Sequence, residues 1–340
     1  MRTLVISDLH LGGDLRRDVL RRPAPLEALL RAVDDVDRLV LLGDVVELLD
    51  AHPAGAMAAA GPVLRAIGSR IGVDREVVVV PGNHDAALVR DWVGPQASLA
   101  PDAPVPLDAT PLLEQLSASL APARVRVHYP GVWLAEGVWA THGHYLDRHL
   151  LPAAAYGIAR GLLGRLPQDG ATPLDYERAG GPSVTRIEAR LNRRLPRSLA
   201  PLVDDMLELL RASTMPASPR GALGNRFART MAFLLGAQMR RASIPALGRV
   251  VHRLGLDAGW ALFGHVHRCG PLPGDQQRHW EGPGGRPRIV NTGSWVYEPL
   301  LVHHTTAPHP YWPGGAVLIE PGREPRALGL LDHLDADALH

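Results

Sequence analysis

Near the start of the sequence, an aspartate and a histidine follow a short apolar run. Leu4, Val5 and Ile6 are followed by Asp8 and His10. Such a run predicts a buried strand, and residues two apart at its end point in the same direction. A carboxylate and an imidazole that converge in this way can hold a divalent metal ion. A single pair could also be a chance feature of a surface turn.

The same pattern recurs at four further places along the chain. The additional candidate ligands follow the apolar runs 39–42, 77–80, 138–140 and 261–263, and they are Asp44, Asn83, His142, His265 and His267. Nitrogen and oxygen donors without a thiolate suit two divalent ions, with manganese preferred and iron or zinc as alternatives, better than a structural zinc. Two ions bridged by a carboxylate lie about 3.5–4 Å apart. They can turn a bridging water into hydroxide for in-line attack on phosphorus.

The intervening residues predict the elements that position these motifs. Residues 14–36 and 54–72 are long enough for crossover helices, so we expect a parallel sheet covered on both faces. The reactive crevice of such a sheet lies at the carboxyl ends of its strands. Residues 94–111 are expected to form a loop, and residues 125–142 an antiparallel sheet of a second kind.

Between about 150 and 255 the strand signal gives way to helix-like segments, at 150–166, 183–195, 199–211 and 225–241. Because chemistry-bearing motifs resume afterwards, we interpret this stretch as a helical insertion within a single domain that covers residues 1–340. The fold class that follows from periodicity is mixed α/β.

Composition limits the classes of function. The chain has 340 residues, is 46% hydrophobic and 21% charged, and has a net charge of +1. This is typical of globular proteins, and the near-neutral charge argues against a nucleic-acid partner. The single cysteine, Cys269, fits a reducing compartment, and we expect it to be a buried small residue rather than a nucleophile. With no signal segment and no apolar run of about 20 residues, the expected location is cytoplasmic.

Taken in order, the five motifs resemble those of the calcineurin-like metallophosphoesterase superfamily. The matching stretches are 8–10, 43–44, 82–85, 142–143 and 264–267, and residues 291–294 resemble the strand and turn that usually follow. The resemblance implies a four-layer α/β/β/α sandwich of the α/β (α+β) class. It also implies a metal-dependent hydrolase that acts on phosphate ester or pyrophosphate bonds of a small anionic substrate.

The resemblance also implies a role for each site residue. One metal would be held by Asp8, His10, Asp44 and His267, and the other by Asn83, His142, His265 and the shared Asp44. His84 matches the position that protonates the leaving oxygen or stabilises charge in the transition state. Asp85 would either orient His84 or pack as a polar cap. His144 and Asp147 could support the ligands or belong to a solvated loop.

Residues 7–11 and 43–47 look more like the bacterial branch that contains UDP-2,3-diacylglucosamine pyrophosphohydrolase than like the Ser/Thr protein phosphatases. Two departures are the histidine at position 84, where that branch typically has arginine, and the longer insertion. The insertion could be a lid over an anionic, partly apolar substrate, a contact with an anionic membrane surface, or an ordinary amphipathic helix pair. These alternatives depend on a basic cluster and an apolar stripe, formed by Arg186, Arg190, Arg193, Arg194 and Arg197, and by Phe227, Met231, Leu234, Leu235 and Met239.

Three functions remain open at this point. The first is a metal-dependent phosphoester hydrolase, the second a scaffold that keeps the fold for protein contacts without catalysis, and the third a nuclease. A scaffold would be expected to lack metal ligands, and none of the motif residues is missing. The sequence does not address the oligomeric state.

Overall fold

Two β-sheets face each other at the centre of the protein. The computed structural model describes residues 1–149, 166–179, 243–302 and 305–339. Within these ranges the first sheet has the strand order β11-β10-β1-β2-β3-β5-β4 and the second the order β6-β7-β8-β9. The strands are β1 Thr3–Ile6, β2 Arg38–Leu41, β3 Glu76–Val79, β4 Ala103–Val105, β5 Arg124–Tyr129, β6 Gly131–Ala135, β7 Val138–Thr141, β8 Trp260–Phe263, β9 Arg288–Asn291, β10 Gly315–Ile319 and β11 Arg326–Gly329.

Helices cover the outer faces of both sheets. Their bounds in the described residues are α1 Pro23–Ala32, α2 Pro53–Ile71, α3 Arg90–Val93, α4 Pro111–Ser119, α5 Pro173–Arg178, α6 Ile244–Arg253, α7 Pro299–Val302 and α8 Ala336–Leu339. Short 3₁₀ turns lie at Val19–Arg21, Ala86–Leu88, His144–His149, Gln277–His279 and Pro283–Gly285. Proline in the first turn begins α1, α2 and α4, where its fixed φ suits a helix and its missing N–H is not needed.

The period-2 geometry of a strand explains the layers. In β1, Leu4 and Ile6 belong to the core that packs under α1 and α2, whereas Val5 faces the second sheet. Across the gap, Leu262 of β8 contributes to the same inter-sheet core, while Phe263 packs in the core beneath α6. The order helix, sheet, sheet, helix is therefore the four-layer α/β/β/α sandwich that the resemblance implied.

The predicted parallel arrangement is confirmed for the strands that carry the motifs. Val5 pairs with Val40 and Val40 with Val78 in a parallel register, and in the second sheet Ala140 pairs with Leu262, also in parallel. Helix α1 lies within the predicted crossover 14–36, and α2 matches the predicted crossover 54–72 but begins one residue earlier. The carboxyl ends of β1, β2, β3, β7 and β8 consequently open towards one crevice.

The prediction of one antiparallel sheet over residues 125–142 is wrong in part. Strand β5 joins the first sheet, parallel to β3, and only β6 and β7 form the antiparallel pair. The turn at Pro130 and Gly131 passes the chain from one sheet to the other, which local alternation cannot distinguish from a hairpin. The predicted loop over 94–111 also contains β4, which pairs with β5.

Much of the predicted insertion lies outside the described residues. The four helical segments predicted between 150 and 241 fall there, except for Leu166, and so do the basic cluster and the apolar stripe. The described parts of the 150–255 stretch include α5 and α6, and α6 packs its buried face on the second sheet. In the described ranges, no helix has the length and apolar character needed to cross a bilayer.

Candidate metal centre

The loops that follow the motif strands are tied to one another by backbone hydrogen bonds. The N–H of Asp8 donates to the carbonyl of Gly43 at 3.0 Å, and that of His10 to the carbonyl of Asp44 at 2.8 Å. The N–H of Gly264 donates to the carbonyl of His142 at 3.0 Å and so links the ends of β7 and β8. These bonds fix the crevice in which the seven predicted ligands meet.

Asp8, His10 and His267 form the first group of potential ligands. The Nε2 atoms of the two histidines lie 3.3 Å apart. Oδ1 of Asp8 lies 3.3 Å from Nε2 of His267 and 4.0 Å from Nε2 of His10. Asp8 is buried, which by itself raises its pKa, but the neighbouring His267 outweighs this and the pKa is lowered. Asp8 is therefore held as a carboxylate.

Asp44, His142 and His265 form the second group, and Asn83 lies against it. Nε2 of His142 lies 3.1 Å from Oδ2 of Asp44 and 3.0 Å from Oδ1 of Asn83. The Nδ1–H of His142 donates to the carbonyl of Leu42 at 3.1 Å. With Nδ1 committed to that bond, Nε2 is the nitrogen directed at the two oxygens.

Asp44 lies between the two groups. The oxygen that contacts His142, Oδ2, is also 3.7 Å from Nε2 of His10. Its other oxygen accepts the backbone N–H of His84 at 2.8 Å. A carboxylate whose one oxygen faces ligands of both groups is in the position of a bridge.

Most of these ligands adopt a backbone conformation that side chains rarely take. The φ angles of Asp8, His10, Asp44, His265 and His267 are 54°, 44°, 52°, 66° and 56°. Each left-handed residue costs about 1–3 kcal/mol, and such strain concentrates at functional sites. Here it turns the chain sharply after β1, β2 and β8, so that successive side chains enter the crevice.

The residues fit a pair of divalent cations. Ligand atoms about 2.1 Å from a shared metal lie about 3.0–3.4 Å from each other in tetrahedral or octahedral geometry, and several spacings in both groups fall in this range. Burial lowers the pKa of His142, but Asp44 and Asp8 outweigh it and raise this pKa to about 10. The same negative potential favours a bound cation. Asn83 turns its Oδ1 to the group, and in the described chain its buried Nδ2 has no hydrogen-bond partner.

Glu47 joins His10, a predicted metal ligand, to His84, the predicted proton donor, and no motif in the sequence predicted this role. Its carboxylate accepts from Nδ1–H of His10 at 2.9 Å and from Nδ1–H of His84 at 2.8 Å. Burial raises the pKa of Glu47, but the hydrogen bonds from these histidines lower it to about 2. Burial lowers the pKa of His84, whereas Asp44 and Glu47 raise it to about 9. The only signal in the sequence was an acidic residue three positions after Asp44.

Asp85 faces the backbone rather than the ring of His84. Its carboxylate accepts the N–H of Val45 at 2.7 Å and that of Gly82 at 2.5 Å. Burial and repulsion by Asp44 raise its pKa to about 6, and the two backbone bonds oppose this rise. These contacts correspond to the polar-cap alternative and fix the loop that carries Asn83.

His144 and Asp147 lie beside the ligands rather than in a solvated loop. Oδ1 of Asp147 is 2.9 Å from Nε2 of His265, an arrangement that orients a ligand histidine. The ring of His144 lies 5.8 Å from that of His142, and burial together with His142 and His265 lowers its pKa to about 3. Cys269 is buried, as expected, and burial raises the pKa of its thiol to about 12.

Two glycines leave room that the site needs. A Cβ on Gly264 would overlap the side chain of Ser7 and the carboxylate of Asp8, and a Cβ on Gly82 would overlap the carboxylate of Asp44 and the ring of His142. In both cases the space is occupied by the buried side chain of a predicted ligand, not by a flexible surface chain. A side chain at either position would displace that predicted ligand.

A cold-active protein-tyrosine phosphatase of a psychrophilic Shewanella species is 13% identical, with 96% of this chain and 80% of that chain covered and a TM-score of 0.30. A point mutant of a cold-active protein tyrosine phosphatase is 15% identical, with 98% and 78% covered and a TM-score of 0.33. No curated protein matches the sequence. Residues 1–154, which carry Asp8, His10, Asp44, Asn83 and His142 together with His84 and Asp85, match the model of the calcineurin-like phosphoesterase family.

Proposed function

We propose that the protein is a metal-dependent phosphoester hydrolase with a dinuclear centre. The observation that carries the proposal is the position of Asp44, with one oxygen 3.1 Å from His142 and 3.7 Å from His10, between two groups of ligands. The calcineurin-like phosphoesterase match of residues 1–154 supports the same reaction class. In this proposal Asp8, His10, Asp44 and His267 hold one ion, and Asn83, His142, His265 and Asp44 hold the other.

The protein's own residues supply orientation and a proton. Two bound divalent cations would activate a water for in-line attack and neutralise charge on the phosphoryl oxygens. Burial lowers the pKa of His84, but Asp44 and Glu47 outweigh it and favour the protonated ring. A protonated His84 can donate its proton to the leaving oxygen. Glu47 holds Nδ1 of His84 at 2.8 Å and thereby fixes the ring. Asp85 keeps the 82–85 loop in place through its backbone contacts.

The finer assignments are part of the proposal as well. Manganese is preferred because the donors are carboxylate, amide and imidazole groups, with iron and zinc as alternatives. The substrate would be a small anionic ester or pyrophosphate of partly apolar character, hydrolysed in the cytoplasm. Residues 43–47 support the bacterial sugar-nucleotide pyrophosphohydrolase branch, and hydrolysis of UDP-2,3-diacylglucosamine itself would test that assignment.

The test is Mn²⁺-dependent hydrolysis of p-nitrophenyl phosphate and bis-p-nitrophenyl phosphate by the full chain. Asp44→Asn should abolish turnover, because it removes the charge that both groups share. His84→Ala should reduce turnover by about 10²–10⁴-fold, since general acid catalysis contributes that much. The preferred ester distinguishes a monoesterase from a diesterase, and a supercoiled plasmid substrate tests the nuclease alternative.

Two exposed residues provide matched controls, Asp108→Asn and His252→Ala, and both should leave turnover unchanged. Elemental analysis and calorimetric titration with Mn²⁺ report on the metal independently of activity. If no metal is bound and no hydrolysis occurs with manganese, iron or zinc, the proposed hydrolase function is refuted. The scaffold function would then be favoured. If the wild-type chain binds two equivalents of metal and the Asp44→Asn variant loses this binding, the result supports the dinuclear centre.

A further inference from the structure

A cavity of about 210 Å³ lies beside the metal centre, and neither the motifs nor the family match assigns it a role. Its inner wall is apolar and includes Val89, Val93 and Leu174, all of which are buried. Its remaining lining brings together the turn that begins at Ala86, helix α3, the end of β5 and helix α5. Four separate elements thus enclose one pocket.

The polar groups of the cavity give it a net positive charge. Arg90 and Arg178 line it and are exposed, and Glu177 is the acidic group among the lining residues. Glu177 is already engaged, because its Oε1 accepts the hydroxyls of Tyr129 at 2.5 Å and Tyr145 at 2.6 Å. The guanidinium of Arg90, in contrast, has no hydrogen-bond or ion-pair partner in the described part of the chain. An anion at the rim would find a free donor.

The wall that carries the second arginine is held in place. Helix α5 begins at a capping box in which the Thr172 hydroxyl accepts from the Asp175 N–H and the Asp175 side chain accepts in return. Nη2 of Arg178 donates to the carbonyl of Gln96 at 2.6 Å, which connects α5 to the segment after α3. The cavity is therefore built before any ligand enters, as small-molecule sites usually are.

The cavity borders the reacting groups through two short routes. Ala86 follows His84 and Asp85 directly in the chain. The hydroxyl of Tyr129 lies 3.4 Å from Nε2 of His144, and the ring of His144 lies 5.8 Å from that of the ligand His142. A single imidazole ring thus separates the cavity wall from the metal centre. The cavity wall and the metal centre are therefore neighbours in the fold.

We propose that this cavity is a substrate subsite that binds a compact apolar group bearing its own negative charge, such as a carboxyaryl group. In this inference, which rests on the proposed function for the reaction itself, Arg90 and Arg178 pair with the anion while Val89, Val93 and Leu174 contact the apolar body. The subsite would select esters in which the organic part is charged as well as the phosphoryl group. It thereby predicts a substrate that is partly apolar and carries a second negative charge besides the phosphoryl group.

Binding can be measured without any hydrolysis. The probe is 4-fluorobenzoate, observed by ¹⁹F NMR in the presence of the full chain after removal of metal with EDTA. Wild type should broaden and shift the signal, and the double variant Arg90→Gln, Arg178→Gln should weaken binding by about tenfold or more, as expected for loss of charge-assisted hydrogen bonds. Neutral 4-fluorobenzamide should bind more weakly than the anion. Arg31→Gln, an exposed arginine on α1, is the matched control and should bind as wild type does.

Hydrolysis gives a second and separate readout. With Mn²⁺, kcat/KM for 4-carboxyphenyl phosphate should exceed that for phenyl phosphate by about tenfold, and the ratio should fall towards one in the double variant. Fragment binding that depends on the two arginines, without hydrolysis of any ester, would overturn the proposed function but support the subsite. The subsite alone would be overturned if two results came together. The first is equal kcat/KM for 4-carboxyphenyl phosphate and phenyl phosphate. The second is binding of 4-fluorobenzoate that is unchanged in the double variant or no tighter than that of 4-fluorobenzamide.

Discussion

Replacement of Glu47 by glutamine tests how the predicted metal ligand His10 and the predicted acid His84 are coupled. The substitution keeps the size of a side chain that is only 6% exposed but removes its charge. In the native protein this carboxylate accepts from Nδ1 of His10 at 2.9 Å and Nδ1 of His84 at 2.8 Å. Its Oε1 also accepts the backbone N–H groups of Leu49 and Asp50, each at 3.1 Å. The amide can retain the backbone bonds because its own oxygen is an acceptor.

The magnitude follows from the lost contact to His84. A hydrogen bond to a charged group contributes about 1.5–3 kcal/mol, and each 1.36 kcal/mol corresponds to about a tenfold change in rate. If this energy holds His84 in its reactive position, Glu47→Gln should lower kcat by about 10- to 100-fold. Burial lowers the pKa of His84 while Asp44 and Glu47 raise it to about 9. Removal of one carboxylate should therefore lower this pKa.

The assay is the pH profile of Mn²⁺-supported hydrolysis of p-nitrophenyl phosphate. An acid with a raised pKa is active below that pKa and loses its proton as the pH rises through it, so the alkaline limb should move to lower pH in Glu47→Gln. Calorimetric titration with Mn²⁺ should also show weaker binding, because His10 loses the partner that orients it. Glu114→Gln, an exposed glutamate on α4, is the control. An unchanged kcat and alkaline limb in Glu47→Gln would refute the coupling.

Three further predictions concern the core and its surroundings. Leu262→Ala shortens a side chain in the core between the sheets and should reduce the free energy of unfolding by about 2–5 kcal/mol in urea titrations. The control is Leu107→Ala, at a residue that is 41% exposed, and it should change this free energy by less than about 0.5 kcal/mol. Gly264→Ala should weaken Mn²⁺ binding in calorimetry, since the new methyl overlaps the carboxylate of Asp8; equal affinity would contradict the packing argument. Cys269, with its pKa raised to about 12 by burial, should react with a disulfide reagent at pH 8 only after denaturation, and rapid labelling of the folded protein would show that it is accessible.

The sequence by itself determined the strands and the residues that follow them. The apolar runs of β1 and β2 are nearly continuous, because both faces of a sheet that is buried on both sides must be apolar. This also made the parallel arrangement predictable. The ligand candidates were visible because a carboxylate or imidazole directly after an apolar run is unusual. Asp8, His10 and Asp44 could therefore be assigned to one crevice before any contact between them was known.

Only the tertiary structure decided which side chains meet across long separations. The contact of Glu47 with both His10 and His84 joins three loops, and no local pattern encodes it. Strand β5 lies in the first sheet because of its non-local pairing with β3, although its own alternation is equally compatible with a hairpin to β6. The left-handed turns at the ligands and the cavity beneath Arg90 likewise exist only because packing elsewhere holds them. Periodicity reports which face of a strand is buried, whereas hydrogen bonds and packing between distant segments decide what that face meets.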